Sequence, residues 1–353
     1  MQPIQMLQTA DAASLAAFNV IIDVRSPGEF AEDHIPGARN LPVLDDAQRA
    51  EVGTIYVQES RFRANRLGAA YVAENIAHHL RTAMGDWSPA VHPLIYCWRG
   101  GSRSNAMATI LQRVGWPTAV LTGGYRTYRR EVQDRLYEQS CPLHLVLLDG
   151  DTGSAKTEIL ARLAERGIQV LDLEDLAGHR GSLFGGFVGR QQPGQKMFES
   201  RLLTKLDALD PSRPVVVEAE SSKIGDRMIP PAVWRAMQTA KRIEIAAPRA
   251  ARARYLVSAY ADIITDSQEL ETAFARLPVQ PSPVRLETWR CLIRDGNFTA
   301  LAEALMELHY DPAYARSRRK DPRPALARVE VDALDDADQS EIADEVARLV
   351  SAM

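Results

Sequence analysis

The sequence predicts an α/β chain built as two successive parallel-sheet domains, 1–137 and 138–353, the second with a mostly helical region at about 249–320. Three observations predict it. Short apolar runs of strand length alternate with stretches whose apolar residues recur at helical spacing, the pattern of parallel strands joined by helical crossovers. The alternation breaks once, at Tyr137-Glu138-Gln139-Ser140-Cys141-Pro142, and then restarts, as 353 residues (about two ordinary domains) would suggest. Each half also holds a glycine-rich loop that follows a strand and opens a helix, where backbone N–H groups and the helix dipole favour anions.

The elements follow in order. Val20–Val24 is an apolar strand ending at a charged turn, and Leu94–Tyr96 is a second strand that enters a glycine loop. Ser104–Val114 has helical apolar spacing and is stopped by Gly115 and Pro117; Ala119–Leu121 is a third strand, closed by Gly123 and Gly124. In the second half, Leu143–Leu148 is a strand, Lys156–Arg166 a helix ended by Gly167, and Ile168–Leu171, Val215–Val217 and Ile243–Ile245 are strands. Residues 249–310 carry Arg, Ala and Leu at helical spacing, and a last strand, Leu326–Val331, leads to a helix near 339–350.

Composition excludes several classes. An apolar share of 46% is enough for a buried core, so a disordered chain is excluded. No run approaches the roughly 18 apolar residues of a membrane span, and the start lacks a basic segment followed by a long apolar stretch. Cys97, Cys141 and Cys291 are too few for a disulfide framework, which points to free thiols in a cytoplasmic setting without membrane attachment. The net charge of −4 argues against a permanent nucleic-acid coat. It leaves an RNA substrate open, because basic residues cluster locally at Arg61, Arg63 and Arg66, at Arg126, Arg129 and Arg130, and at Arg316, Arg318, Arg319 and Lys320. Any one such cluster also reads as a solvated helix face.

The strongest chemistry lies in Tyr96-Cys97-Trp98-Arg99-Gly100-Gly101-Ser102-Arg103-Ser104. A cysteine at the end of a buried strand, followed by a glycine turn and a helix, receives backbone N–H groups and the positive end of the helix dipole. Arg99 and Arg103 add formal charge, so the thiolate, the nucleophilic form, is favoured, and the same cradle suits an oxyanion beside the sulfur. Cys97, Arg99, Gly100, Gly101 and Arg103 are therefore the candidate catalytic residues; a merely buried cysteine would need neither the double glycine nor two arginines.

A second anion site is expected at Gly150-Asp151-Thr152-Gly153-Ser154-Ala155-Lys156-Thr157, after a strand and at a helix start. Its backbone N–H groups would cradle phosphates and Lys156 would meet them as a point charge. Ala155 replaces the last glycine of the usual phosphate-loop pattern; a glycine-only backbone there would cost about 1 kcal/mol, a helical start almost nothing. Thr157 is the residue type that holds magnesium in such loops, which the sequence allows without requiring; no resident metal is expected. Low-specificity candidates for substrate binding are His179, Arg180 and Ser182 in Asp172–Gly185, and Glu218 and Glu220 at the end of a strand, where a solvated acidic terminus is an equal reading.

The N-terminal string IIDVRSPGEFAEDHIPGARNLP (21–42), followed by Cys97 and its loop, resembles a rhodanese domain over roughly residues 5–135. The resemblance implies a cysteine that carries transferable sulfur, although here five residues, not the usual four, separate Cys97 from Arg103. Taken with RAEVGTIY (49–56), GGYRTYRR (123–130), GDTGSAKT (150–157), DLEDLAGHRGSLFG (172–185), VVVEAESSKIG (215–225) and LHYDPAYARS (308–317), the whole chain resembles the tRNA 2-selenouridine synthases: a rhodanese-like parallel-sheet domain followed by a P-loop NTPase-like α/β domain. Departures are Ala155 and Val57–Ser60, where relatives tend to carry a Lys and a Gly. The resemblance implies a tRNA substrate with 2-thiouridine at the wobble position, no tightly bound cofactor, and two cosubstrates, geranyl diphosphate and selenophosphate. Sulfur is first geranylated, and selenium then displaces the geranylthio group. Selenophosphate is expected in the Cys97 loop and geranyl diphosphate at 150–157. A rhodanese-type sulfurtransferase with a nucleotide-binding regulatory domain is the alternative reading.

Overall fold

The structure is a computed structural model that describes residues 3–181, 186, 191–261, 270, 274, 277, 280–320 and 325–353. Five strands form the first sheet: β1 (Gln5–Leu7), β2 (Val20–Asp23), β3 (Arg39–Asn40), β4 (Pro93–Tyr96) and β5 (Ala119–Leu121), in the order β1-β5-β4-β2-β3. Every pairing is parallel, with Val20 opposite Pro93 and Asp23 opposite Tyr96. The second sheet contains β6 (Leu145–Gly150), β7 (Gln169–Leu171) and β8 (Val215–Glu218). After a small antiparallel hairpin of β9 (Lys223–Ile224) and β10 (Arg227–Met228), β11 (Lys241–Ala246) and β12 (Ala327–Glu330) complete it in the order β12-β11-β6-β8-β7, again all parallel.

In both sheets the middle strand leads into the glycine loop. β4 and β6 are buried along their whole length, because a central parallel strand is covered on both faces and must read as a nearly unbroken apolar run. Pro93 is tolerated in a central strand because it is the first residue. Cys97 and Asp151 therefore leave the carboxyl ends of central strands, where open α/β sheets bind ligands. Ile22, Ile95, Met107, Leu111 and Val120 pack the first core; Leu148, Ile159, Leu163, Val216, Ile243, Ile342 and Val346 pack the second.

The chain forms two compact units, 1–139 with 194–207, and 140–193 with 208–353. This corrects a strictly sequential division at 137/138, because the helix Gln195–Asp207 belongs to the first unit. Its almost fully buried Glu199 pairs with Arg129 and accepts from Tyr137 Oη at 2.6 Å, and Asp207 pairs with Arg135 at 2.7 Å. A buried carboxylate stays where its cation is, and apolar spacing carries no sign of that. The sheet-edge strands β1 and β3 and the helices Asp46–Gln58 and Arg61–Arg81 were also not anticipated; Asp46–Gln58 buries no residue completely, so its pattern is weak. In the region expected to be helical, Arg249–Ala259, Pro283–Arg294 and Phe298–Leu305 are helices, and the last continues through a widened turn, Met306–Tyr310, into Asp311–Lys320. Among the described residues no helix is long and apolar enough to cross a membrane.

Candidate active site

Cys97 is 3% exposed and its sulfur faces the turn that follows it. The Gly101 N–H donates to Sγ at 3.3 Å, and Ser104 Oγ, in the first turn of the helix Ser102–Val114, lies 3.3 Å from the same atom. Burial alone pushes the thiol up, but the Ser104 hydroxyl and the backbone N–H groups of Ser104, Arg99 and Gly101 outweigh it and hold the thiol below its ordinary value. A cavity of about 470 Å³ opens on the sulfur, lined by Glu29, Glu32, Arg49, Cys97, Trp98, Arg99, Gly101, Ser102 and Arg103.

The glycines differ in what they do. Gly100 has φ +66°, and a Cβ there would lie 2.7 Å from the Leu121 carbonyl. Gly101 has open space around it, so its contribution is its N–H. The Tyr125 N–H donates to the Cys97 carbonyl at 2.8 Å, and a Cβ on Gly124 would come 2.2 Å from that oxygen. The string Gly123–Tyr125 is thus the backing of the cysteine loop, a role the sequence reading did not give it. The two arginines also differ. Arg99 is exposed, whereas Arg103 pairs with Glu29 at 3.0 Å, and Glu29 also holds Arg49 at 3.2 Å. Ser104, Glu29 and Arg49 were missed; only the position of Ser104 in the helix's first turn could have pointed to it.

The second site is a cavity of about 950 Å³ at the end of β6. Residues 152–157 form one wall, and Tyr255, Leu256, Ala259, Tyr260, Tyr310 and Tyr314 form much of another. Ala155 adopts φ +57°, the left-handed region, directly before the helix Lys156–Glu165, so the loop uses glycine-type backbone without glycine. Gly153 has φ +83°, and a Cβ there would meet the Arg252 carbonyl at 2.9 Å. Lys156 Nζ donates to the Gly150 carbonyl at 3.0 Å; burial works against its ammonium, but Tyr314, Glu220 and Glu174 outweigh it and keep Lys156 charged above its ordinary range.

Acidic groups surround Lys156. Thr157 Oγ1 donates to Glu174 Oε2 at 3.0 Å. Burial, with Glu220 second, pushes Glu174 up to about 8; Glu220 is raised as well, chiefly by burial. Gly181 (φ +66°) brings its backbone so close that a Cβ would lie 2.4 Å from Glu174 and 2.9 Å from Glu220. Glu218 is fully buried at the end of β8, neither carboxylate oxygen has a hydrogen-bond partner among the described residues, and burial pushes it well above the carboxylate range. His179 Nδ1 accepts from the Gly181 N–H at 3.2 Å, and burial holds the imidazole below its ordinary value against the pull of Asp226. Arg180 lies over the Tyr260 ring, 5.0 Å from its centre. His179, Arg180 and Glu220 line the cavity with Lys156; Glu218 does not, and Ser182 falls outside the described residues. Among the described residues no set of three His, Cys, Asp or Glu side chains is placed to hold a metal. Glu174, the tyrosines and Arg252 were not anticipated.

Comparison with known proteins agrees with this division. Residues 5–131 match the rhodanese-like domain, and residues 143–276 match the tRNA 2-selenouridine synthase AAA domain. The tRNA 2-selenouridine synthase of Nitrosomonas europaea is 36% identical over 239 residues, covering 66% of this chain and 61% of that protein. That of Bdellovibrio bacteriovorus is 37% identical over 220 residues, covering 61% and 57%. That of Aeromonas salmonicida is 34% identical over 260 residues, covering 72% and 69%. The matched stretch is thus less than two-thirds of the first two relatives' own length.

Proposed function

Since this chain belongs to the tRNA 2-selenouridine synthase family, we propose that it converts wobble-position 2-thiouridine of tRNA to 2-selenouridine in two steps. In the first, the sulfur on C2 forms a bond to the terminal carbon of a geranyl group, and diphosphate leaves with the electron pair of the broken C–O bond. In the second, selenium from selenophosphate bonds to C2 and the geranylthiol departs; a bare sulfur on C2 would be a poor leaving group.

One observation carries the reading. A single chain holds two chemically different anion cradles, one around a thiol favoured as thiolate and one around a charged lysine beside a tyrosine-rich wall. Residues Gly150–Thr157 would receive the diphosphate, with Lys156 offsetting charge as it leaves. Tyr255, Leu256, Tyr260, Tyr310 and Tyr314 would receive the prenyl chain, their ring faces favouring an allylic carbon that is becoming cationic. His179 and Arg180 would meet the anionic end of the substrate in the same cavity. The Cys97 loop would hold selenophosphate through Gly101, Arg99 and Arg103, with the thiolate positioned to accept or direct selenium. Free thiols and a tRNA substrate fit a cytoplasmic setting.

The test is mass spectrometry of wobble nucleosides after incubating the protein with thiolated tRNA, geranyl diphosphate and selenophosphate. The expected product is 2-selenouridine, formed only when both cosubstrates are present. Thiosulfate-to-cyanide turnover without any RNA product would contradict the proposal.

A further inference from the structure

The helices Asp46–Gln58 and Arg61–Arg81, joined through Glu59 and Ser60, form an antiparallel hairpin fixed at its base. The Gly28 N–H donates to the Asp46 carboxylate at 3.0 Å, Asn75 donates to the Val43 carbonyl at 3.0 Å and to Gln48 at 2.8 Å, and Tyr71 donates to Glu51 at 2.8 Å. Its tip is unlike an ordinary solvated corner. Tyr56 is 47% exposed, Val57 82% and Phe62 74%, three of the largest apolar exposures in the chain within seven residues. Arg61, Arg63 and Arg66 are interleaved with them and exposed. Only Arg63 finds a carboxylate, Glu59 at 2.5 Å. Among the described residues Arg61 and Arg66 pair with none, and the Arg61 guanidinium lies over the Tyr56 ring, 5.5 Å from its centre.

We propose that this tip is the docking surface for the unpaired anticodon-loop nucleotides of the RNA substrate, with Tyr56 and Phe62 as stacking faces and Arg61 and Arg66 as phosphate contacts. The inference rests on the tRNA substrate proposed above. Unpaired bases are recognised by stacking on aromatic rings and guanidinium planes, and the backbone by unneutralised arginines. A protein-binding patch of this size would carry a more continuous apolar centre with fewer cations. The location also fits. Arg49 lines the Cys97 cavity, and Tyr56 stands seven residues further along the same helix, a rise of ~10 Å, or about three stacked nucleotides.

The experiment uses the full chain and a thiolated anticodon stem-loop, with affinity read by fluorescence anisotropy and turnover by nucleoside mass spectrometry. The double variant Tyr56→Ala/Phe62→Ala should bind the RNA at least about tenfold more weakly and raise its KM accordingly, while kcat at saturating RNA holds. Arg61→Ala/Arg66→Ala should weaken binding and make its dependence on salt shallower by about one in log–log slope. All four side chains are exposed, and unchanged thermal unfolding shows that the variants fold. Parental affinity and parental salt slope in both variants would overturn the proposal, including the case in which the variants lose a protein partner instead. If the parent converts no thiolated tRNA, the proposed function falls; the anisotropy still reads the docking surface separately.

Discussion

Arg252 Nη1 donates to the Thr152 carbonyl at 3.0 Å, and the same guanidinium is held by Asp311 at 3.0 Å. Arg252 is 5% exposed, so its charge depends on these partners, and Asp311 thereby fixes the turn of the phosphate loop from a distant helix. This gives the motif LHYDPAYARS a physical task. Asp311→Asn should cost about 2 kcal/mol in urea unfolding and weaken binding of inorganic diphosphate. Unchanged stability and affinity would show that the loop is held without this pair.

The Cys97 thiol is tuned by few groups, and Ser104 is the one that can be removed cleanly. Alkylation by iodoacetamide should follow a titration with a midpoint below the ordinary thiol value. Ser104→Ala should move that midpoint up by about one pH unit, because a hydrogen bond to the thiolate is lost. Selenium incorporation near neutral pH should slow in step. An unmoved midpoint would remove Ser104 from the tuning set.

At Ala155 two effects oppose one another. The left-handed backbone costs an alanine about 1 kcal/mol, and its methyl, in a residue only 2% exposed, contributes about 0.8 kcal/mol to the core. Ala155→Gly should therefore change stability by less than about 1 kcal/mol. Ala155→Val, with a β-branched side chain at φ +57°, should cost more than ~2 kcal/mol and impair diphosphate binding. Denaturant unfolding of both variants checks the order.

The acidic cluster makes stability depend on pH in an uncommon direction. Glu174 is raised from 4.5 to about 8, so the folded protein keeps a proton in this window that the unfolded chain has released. Stability contributed by that proton is present below the ordinary Glu value and is lost as pH rises to about 8. Urea midpoints should fall between about pH 5 and about pH 8. Glu174→Gln should flatten the decline; an unaltered slope would mean that the carboxyl titrates normally.

Much of this architecture is legible in the sequence because the central strands are apolar throughout and each ends in a glycine loop. Leu94–Tyr96 and Ala119–Leu121 lie within or coincide with β4 and β5, and Lys156 begins its helix where expected. Edge strands of two or three residues, such as β1 and β3, carry too little alternation to be seen. The helix Gln195–Asp207 was placed with the wrong half because its allegiance is set by Glu199 meeting Arg129, a contact between distant residues. At the sites, residues close in sequence were readable and those brought in by folding were not. Cys97, Gly101 and Lys156 announce themselves by spacing. Glu29 on Arg103, Arg252 on Thr152 and the tyrosine wall exist only after the sheets form.

The account's central claim is a division of labour between the lysine loop and the cysteine loop, and supplying the intermediate tests it most directly. Given tRNA already S-geranylated at the wobble base, plus selenophosphate, the variant Lys156→Ala should form 2-selenouridine at close to the parental rate, and Cys97→Ser should not. With 2-thiouridine tRNA and geranyl diphosphate alone, the pattern should reverse. If Lys156→Ala fails on the pre-geranylated tRNA, or Cys97→Ser incorporates selenium at the parental rate, the two loops do not divide the chemistry in this way.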